Sequence, residues 1–330
     1  MDSSSRLMQR MRNARVVVVG DLIADQFISG QVSRVSREAP VLILQYSNTT
    51  IVPGGAGNAA ANVAALGARV DVVGLVGRDD EGRRLLKALP SRANVRRVVR
   101  AGGYATPVKT RILAGGVHSA KQQVVRIDKA GPIVTPAMRK RVQSALARAA
   151  KGADAIIVSD YGSSVVTPAM VEAALRGAGR RKPLVLVDSR YAMLSFAGMT
   201  ATTPNESEVE AQLGVKIGDD LAALERAGRQ LVKKTRANAV LITRGSRGMA
   251  LFERGRVTEH IPIVGSDEVA DVTGAGDTVI ATFTLALASG ASFSEAAHLA
   301  NHAGGIVVMK RGTATVSRAE LTASIAASTS

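Results

Sequence analysis

Residues 271–277 read Asp-Val-Thr-Gly-Ala-Gly-Asp and lead into an apolar run from Val279 to Ala288. Gly274, Ala275 and Gly276 would present backbone N–H groups at a helix N-terminus. Donors there lack intrahelical partners and the helix dipole is positive, so the position suits an anion. Small residues let a phosphate lie close to the main chain. Asp277 would stand in the first turn, beside that anion. A carboxylate so placed can accept the proton of an attacking hydroxyl while the amides hold a transferring phosphoryl group. The plainer reading makes Gly-Ala-Gly a tight turn and Asp277 a capping acid. A second stretch, Pro53-Gly54-Gly55-Ala56-Gly57-Asn58, also opens a helix. Its adjacent glycines would let a substrate lie against the backbone, and Asn58 offers both a donor and an acceptor to hydroxyls.

The elements that must position these residues alternate strand and helix. Arg15 to Val19 predicts a strand ending at Gly20-Asp21, followed by a helix from Gly57 to Leu66 and a strand from Arg69 to Val76. Thr135 caps a helix from Pro136 to Ala149, with proline at its first position. Ala155 to Val158 and Leu184 to Val187 are short buried strands, each followed by an acid, Asp160 or Asp188. Asp220 to Lys233 is helical, Ala239 to Thr243 is a strand, and Ala275 to Ala288 and Ser294 to Met309 are helices. This order predicts an α/β fold: a mostly parallel central sheet with helices on both faces. Ligands of such sheets bind beyond the carboxyl ends of the strands, where Asp21, Asp160 and Asp188 fall. Two segments break the alternation, about 27–52 and 106–128. Both read as β-structure outside the main sheet, the second as a hairpin turning at Gly115-Gly116, and together they predict a small β-lid. The organisation expected is one domain over 15–322, with flexible ends at 1–14 and 323–330.

Composition narrows the function classes. The chain has 330 residues, enough for a sizeable core, and its 46% hydrophobic and 21% charged residues exclude a mostly disordered chain. It has no Cys, which excludes disulfides, Cys-ligated metals and thiol nucleophiles. The formal charge is +16, but its Lys and Arg residues are scattered, mostly near predicted helix ends. With only 3% aromatic residues, few stacking platforms exist for single-stranded nucleic acid, so a nucleic-acid partner is not expected. No signal peptide is visible, and no apolar run approaches the roughly 20 residues of a membrane span. A cytoplasmic protein without membrane contact is expected. There is no G-x-x-x-x-G-K-[ST] and no G-x-G-x-x-G after the first strand. His298 and His302 stand four apart, but no third metal ligand lies nearby.

The two glycine-rich stretches, in this order, resemble the paired signatures of the PfkB, or ribokinase-like, sugar kinases. The resemblance runs from about Arg15 to Leu321 and includes Gly20-Asp21, Asn205-Glu206-Ser207-Glu208, Thr243-Arg244-Gly245 and Asn301. It implies a ribokinase-like three-layer sandwich and an ATP-dependent kinase in which Asp277 is the general base and Gly274, Ala275 and Gly276 form the anion hole. It places Asp21, Gly54, Gly55 and Asn58 on sugar hydroxyls, and Asn205, Thr243, Gly245 and Asn301 in the nucleotide pocket. Asn205 and Glu208 match the N-x-x-E motif that places Mg2+ through water, and Asp271 and Thr273 match part of a monovalent-cation site that would take K+. The lid of such kinases often makes a homodimer.

Within the family, the chain is most similar to kinases of D-glycero-β-D-manno-heptose 7-phosphate, which phosphorylate the anomeric hydroxyl. The carrying stretches include Ser33 to Val41, Lys109-Thr110-Arg111, Ser159-Asp160-Tyr161 and Gly312-Thr313. A phosphorylated sugar needs cations to pair its phosphate, and Lys109, Arg111 and Arg190 are the candidates. Ser189-Arg190 stands where such kinases usually have Pro-Lys. The chain contains no H-x-G-H nucleotidyl-transfer motif, so the kinase part alone is expected. The competing readings are a PfkB kinase of ribose, fructose, a hexose phosphate or a nucleoside, and a non-catalytic nucleotide- or nucleic-acid-binding protein.

Overall fold

A computed structural model describes residues 3–115, 121–265 and 271–329. Its strands are β1 (Arg15–Gly20), β2 (Leu22–Val35), β3 (Leu42–Gly55), β4 (Arg69–Gly77), β5 (Ala93–Asn94), β6 (Val99–Ala101), β7 (Val108–Gly115), β8 (Gln122–Lys129), β9 (Ala155–Asp160), β10 (Leu184–Ser189), β11 (Ala201–Thr202), β12 (Ala239–Thr243), β13 (Met249–Glu253) and β14 (Glu259–Ile261). Its helices are α1 (Ser3–Met11), α2 (Ala56–Ala65), α3 (Asp80–Ala88), α4 (Pro136–Ala149), α5 (Pro168–Gly177), α6 (Glu206–Leu213), α7 (Leu221–Thr235), α8 (Ala275–Ala288), α9 (Phe293–Val308) and α10 (Arg318–Thr329).

The main sheet runs β14-β13-β12-β11-β10-β9-β1-β4-β5, with β6 also beside β4. It is parallel from β12 to β5, and β13 and β14 add an antiparallel edge. Strand β1 shows why three layers form. Its side chains alternate between faces, as a period of two requires. Val16 and Val18 join one core with Met11 of α1, Val63 of α2, Ile280 and Phe283 of α8 and Leu321 of α10. Val17 and Val19 join the other with Leu146 of α4, Met170 of α5 and Leu231 of α7. Strands buried on both faces are near-continuous apolar runs, as Val16 to Val19 is. This is the expected three-layer sandwich.

The lid is a four-stranded sheet in the order β3-β2-β7-β8. It roots deeper than 27–52, because β2 starts at Leu22 and β3 ends at Gly55. Gly54 pairs with Ile23 and Gly55 with Leu22, so the glycine-rich stretch is the base of the lid rather than a free loop. Gly116, expected in the turn of the second hairpin, lies outside the described residues.

Both chain ends carry helix. Ser3–Met11 is helical, and Leu7, Met8 and Met11 are buried because this spacing puts all three on one face. The C-terminal segment is helical through Thr329. Among the described residues no helix is long and apolar enough to cross a membrane.

Candidate active site

The carboxyl ends of β9 and β10 lie against α8, and Asp21 at the end of β1 is tied to Tyr161 just beyond β9. Gly274 caps that helix with a left-handed φ of 79°. A Cβ there would collide with the side-chain amide of Asn58, so glycine is required for two reasons. Asp277 follows in the first turn and is buried. Its Oδ2 accepts from Asn58 Nδ2 at 2.8 Å and its Oδ1 from the Tyr161 hydroxyl at 3.2 Å. Burial raises its pKa to about 7, against the lowering effect of those two hydrogen bonds and of Lys109, and with a further push from the negative charge of Asp25. Asn58 is held in turn by Asn62, whose Nδ2 donates to Asn58 Oδ1 at 3.2 Å. Asn62 Oδ1 accepts from the Thr278 hydroxyl at 3.0 Å, which ties α2 to α8. Gly274, Ala275 and Gly276 all line the cleft. The Ala275 N–H already meets Val272 O at 3.2 Å, so an anion would share or displace that bond.

On the lid side, Asp21 is buried with one oxygen satisfied. Its Oδ2 accepts from the backbone N–H groups of Tyr161 at 2.7 Å and Ser163 at 3.1 Å, while Oδ1 has no partner among the described residues. Burial raises its pKa to about 6, opposed by the Ser163 bond and reinforced by Asp160. A buried acceptor without a donor is costly and suits a substrate hydroxyl. Lys109 places its ammonium 5.1 Å from the centre of the Tyr161 ring. Burial holds its pKa below the usual lysine range; Asp25 and Asp128 oppose this, while Arg190 and Arg126 add to it. Arg190 lies over the ring of Tyr191, 5.6 Å from its centre, and is exposed. Arg111 differs from both. It is buried against Asp25, with Nη1 2.6 Å from Oδ1, so its charge is already neutralised.

The other side is a cleft of about 500 Å³, lined by Asn205, Thr243, Gly245 and Asn301 among others. Asn205 and Glu208 form a capping box on α6: Asn205 Oδ1 accepts from the Glu208 N–H at 2.9 Å, and Glu208 Oε2 from the Asn205 N–H at 3.0 Å. Asn301 Nδ2 donates to Pro262 O at 2.7 Å, so this side chain fastens the cleft wall to α9. Thr243 and Asn205 are bridged main chain to main chain, and Gly245 is left-handed at φ 57°. Arg244 is buried against Glu206, 2.9 Å apart. Asp271 Oδ1 accepts from the Thr273 N–H and Oδ2 from the Gly312 N–H, both at 2.9 Å. Although burial raises its pKa, these bonds and the charge of Arg111 hold it below the usual carboxylate range.

Asp188, at the end of β10, sits between the two sides. Burial pushes its pKa well up, and the negative charges of Glu208, Asp277 and Asp160 add to that. Burial likewise raises Glu208, against the Asn205 bonds and Arg190. A cation would relieve this accumulation, and hard carboxylate oxygens suit magnesium. Among the described residues no three His, Asp or Glu side chains could hold an ion by themselves. Magnesium here would therefore keep much of its water, as that ion prefers.

The structure thus gathers Asp277, Asn58, Asp21 and Lys109 at one point, with Asn205, Glu208, Thr243, Gly245 and Asn301 along the adjoining cleft. Sequence reasoning named Tyr161 and Asp188 without giving either a site role and passed over Asp25. Asp25 had a visible signal, an acid inside the apolar start of a strand. It also explains Gly54, where a Cβ would collide with the Asp25 carboxylate.

A model of the pfkB family carbohydrate kinases matches residues 13–320. The bifunctional protein HldE of Geobacter sulfurreducens is 41% identical over 314 residues, covering 94% of this chain and 62% of that protein. The HldE protein of Caulobacter vibrioides is 38% identical over 324 residues, covering 98% of this chain and 65% of its own length. The chain thus spans a little under two thirds of these relatives. Among solved structures, Arabidopsis thaliana ribokinase complexed with ribose and ATP superposes with a TM-score of 0.71 at 20% identity, covering 95% of this chain and 99% of that one. Phosphofructokinase-2 from Escherichia coli in complex with fructose-6-phosphate reaches 0.77 at 17% identity, covering 96% and 99%. At these identities the likeness speaks for the fold.

Proposed function

Since the chain belongs to the pfkB family of carbohydrate kinases, we propose that it phosphorylates the anomeric hydroxyl of D-glycero-β-D-manno-heptose 7-phosphate, with Asp277 as the general base. The observation that carries the base assignment is the position of Asp277. It is buried at the helix N-terminus, where the hydroxyl-binding end and the nucleotide cleft meet.

The sugar lies against Gly54 and Gly55 with a hydroxyl on the free oxygen of Asp21 and another on Asn58. Its reacting hydroxyl gives its proton to a carboxylate oxygen of Asp277. The sugar oxygen bonds to the γ-phosphorus as the bond to the bridging oxygen breaks, and ADP leaves. The Gly274–Gly276 amides hold the phosphoryl oxygens, fixing an in-line geometry. Asp188, Asn205 and Glu208 are the residues that would hold magnesium, through water, and the ion would supply positive charge to the nucleotide phosphates. Asp271 and Thr273 are the residues we assign to a monovalent cation such as K+. Lys109 and Arg190, which have no close carboxylate partner among the described residues, take the distal phosphate, whereas Arg111 supports the site through Asp25.

The resemblance of Ser33 to Val41 and of Gly312-Thr313 to heptose 7-phosphate kinases supports the substrate. The test is magnesium- and potassium-dependent ADP release from ATP across sugars and sugar phosphates. Turnover confined to heptose 7-phosphate is expected. Preference for ribose, fructose, a hexose phosphate or a nucleoside would keep the mechanism and overturn the substrate.

We assign a single kinase unit to residues 15–322. We also propose a homodimer through the lid. Exposed apolar side chains gather on its strands, among them Val35, Leu42, Tyr46, Val125 and Ile127, and an apolar patch of that kind marks an interaction surface. Sedimentation equilibrium should give twice the chain mass, and Val125→Lys with Ile127→Lys should give the monomer.

A further inference from the structure

Tyr161 touches three groups of the site. Its backbone N–H donates to Asp21 Oδ2 at 2.7 Å, its hydroxyl lies 3.2 Å from Asp277 Oδ1, and the Lys109 ammonium covers its ring at 5.1 Å. One residue therefore spans the hydroxyl-binding acid, the base and the lid. We infer that Tyr161 is a positioning residue, which fixes the Asp277 carboxylate with its hydroxyl while its main chain fixes Asp21. This deepens the reading above and rests on Asp277 being the base.

Two donors hold the Asp277 carboxylate, one on each oxygen. Asn58 reaches Oδ2 and Tyr161 reaches Oδ1. The carboxylate plane is thereby pinned at both ends, and each oxygen keeps a lone pair for the incoming hydroxyl. A carboxylate held from one side only could rotate about its last bond, and small misplacements of a base cost rate. A phenol donating to a carboxylate also favours the ionised, proton-accepting form. The groups around Asp277 act in both directions. Asn58 on α2, Tyr161 beyond β9 and Lys109 on β7 favour the anion, while Asp25 on β2 disfavours it. Asp188 on β10 is near enough for Asp277 to raise it. Tyr161 itself stays a phenol, since burial and the charges of Asp277 and Asp188 push its pKa well above 10.

The test compares the unaltered protein with Tyr161→Phe and with 3-fluorotyrosine placed at 161, a stronger donor of nearly the same size. The first readout is the carboxyl carbon titration of Asp277 in ligand-free protein, assigned with Asp277→Asn. The second is kcat against pH with ATP and the preferred sugar. In Tyr161→Phe the Asp277 titration should rise by about one pH unit. Its kcat should fall about 5- to 10-fold near pH 7 and recover in part by pH 9, with KM for the sugar within about twofold. Fluorotyrosine should move both readouts the other way. An Asp277 titration that moves in neither variant overturns the inference, and so does a Tyr161→Phe kcat equal to that of the unaltered protein at every pH. If Tyr161→Phe does not fold, the fluorotyrosine protein decides alone. Retained turnover in Asp277→Asn would instead remove Asp277 as the base, leaving the ligand-free titration to judge the positioning by itself.

Discussion

Asp277→Asn is expected to lose roughly 10²-fold or more in kcat, the scale of a missing general base, while folding normally. The amide fits the same two partners. Its oxygen can accept from Asn58 Nδ2, and its NH2 can donate to the Tyr161 hydroxyl, which then turns to accept. Position and volume are kept, so a lost rate reports lost chemistry. The pH dependence sharpens the test. The carboxylate must be ionised to take a proton, and burial raises its pKa to about 7. The kcat of the unaltered enzyme should therefore rise with pH through that region. In Asp277→Asn this limb should vanish and leave a low, flat profile.

Stability should move the opposite way. An acid raised by folding from its ordinary value of 3.8 to about 7 keeps its proton in the folded state while the unfolded chain has lost it. Stability then falls as pH rises between those values. The neutral amide escapes that loss, so Asp277→Asn should melt at or above the temperature of the unaltered protein at pH 8. Near-normal turnover would remove Asp277 from the mechanism. A lower melting temperature at pH 8 would show instead that the carboxylate is structural.

How much of this was legible in the sequence differs by element. The core strands were readable because Val16 to Val19 must be buried on both faces. The start of α4 was readable because Thr135 and Pro136 supply a cap and a preset φ. The α8 terminus was readable because Gly274, Ala275 and Gly276 leave little else for the backbone to do. α1 was not, because three apolar residues among polar ones show a face only once α8 and its neighbours supply a partner. The Asp25–Arg111 pair was invisible for another reason. The two lie 86 positions apart, and only the parallel pairing of β2 with β7 sets them on neighbouring strands. Arg111 therefore reads as a free cation in the sequence and as a neutralised one in the fold. The tie of Tyr161 to Asp277 was hidden similarly, since it spans 116 positions.

That pair separates structural from binding cations among the three candidates. Asp25→Ala would leave the Arg111 guanidinium buried without its carboxylate, and breaking a buried pair from one side costs about 3–5 kcal/mol. It would also strip the acceptor from the Thr313 hydroxyl, 3.1 Å from Asp25 Oδ2. A marked fall in melting temperature is expected. Arg111→Met should fall by a similar amount, since Asp25 then stays buried and unpaired. The double variant should be more stable than the sum of the two losses predicts, the mark of direct coupling. Lys109→Ala and Arg190→Ala should do the reverse. Neither has a close carboxylate partner among the described residues, so melting should barely move. Losing one charge-assisted contact, about 1.5–3 kcal/mol, should raise KM for a sugar phosphate by roughly 10- to 100-fold. KM for the same sugar without its phosphate should hardly change. If Arg111→Met keeps its melting temperature and raises KM for the phosphorylated sugar alone, Arg111 binds the phosphate and Asp25 merely holds it in wait. If instead KM stays flat for Lys109→Ala and Arg190→Ala, the distal phosphate binds elsewhere, and the heptose 7-phosphate reading loses its binding site.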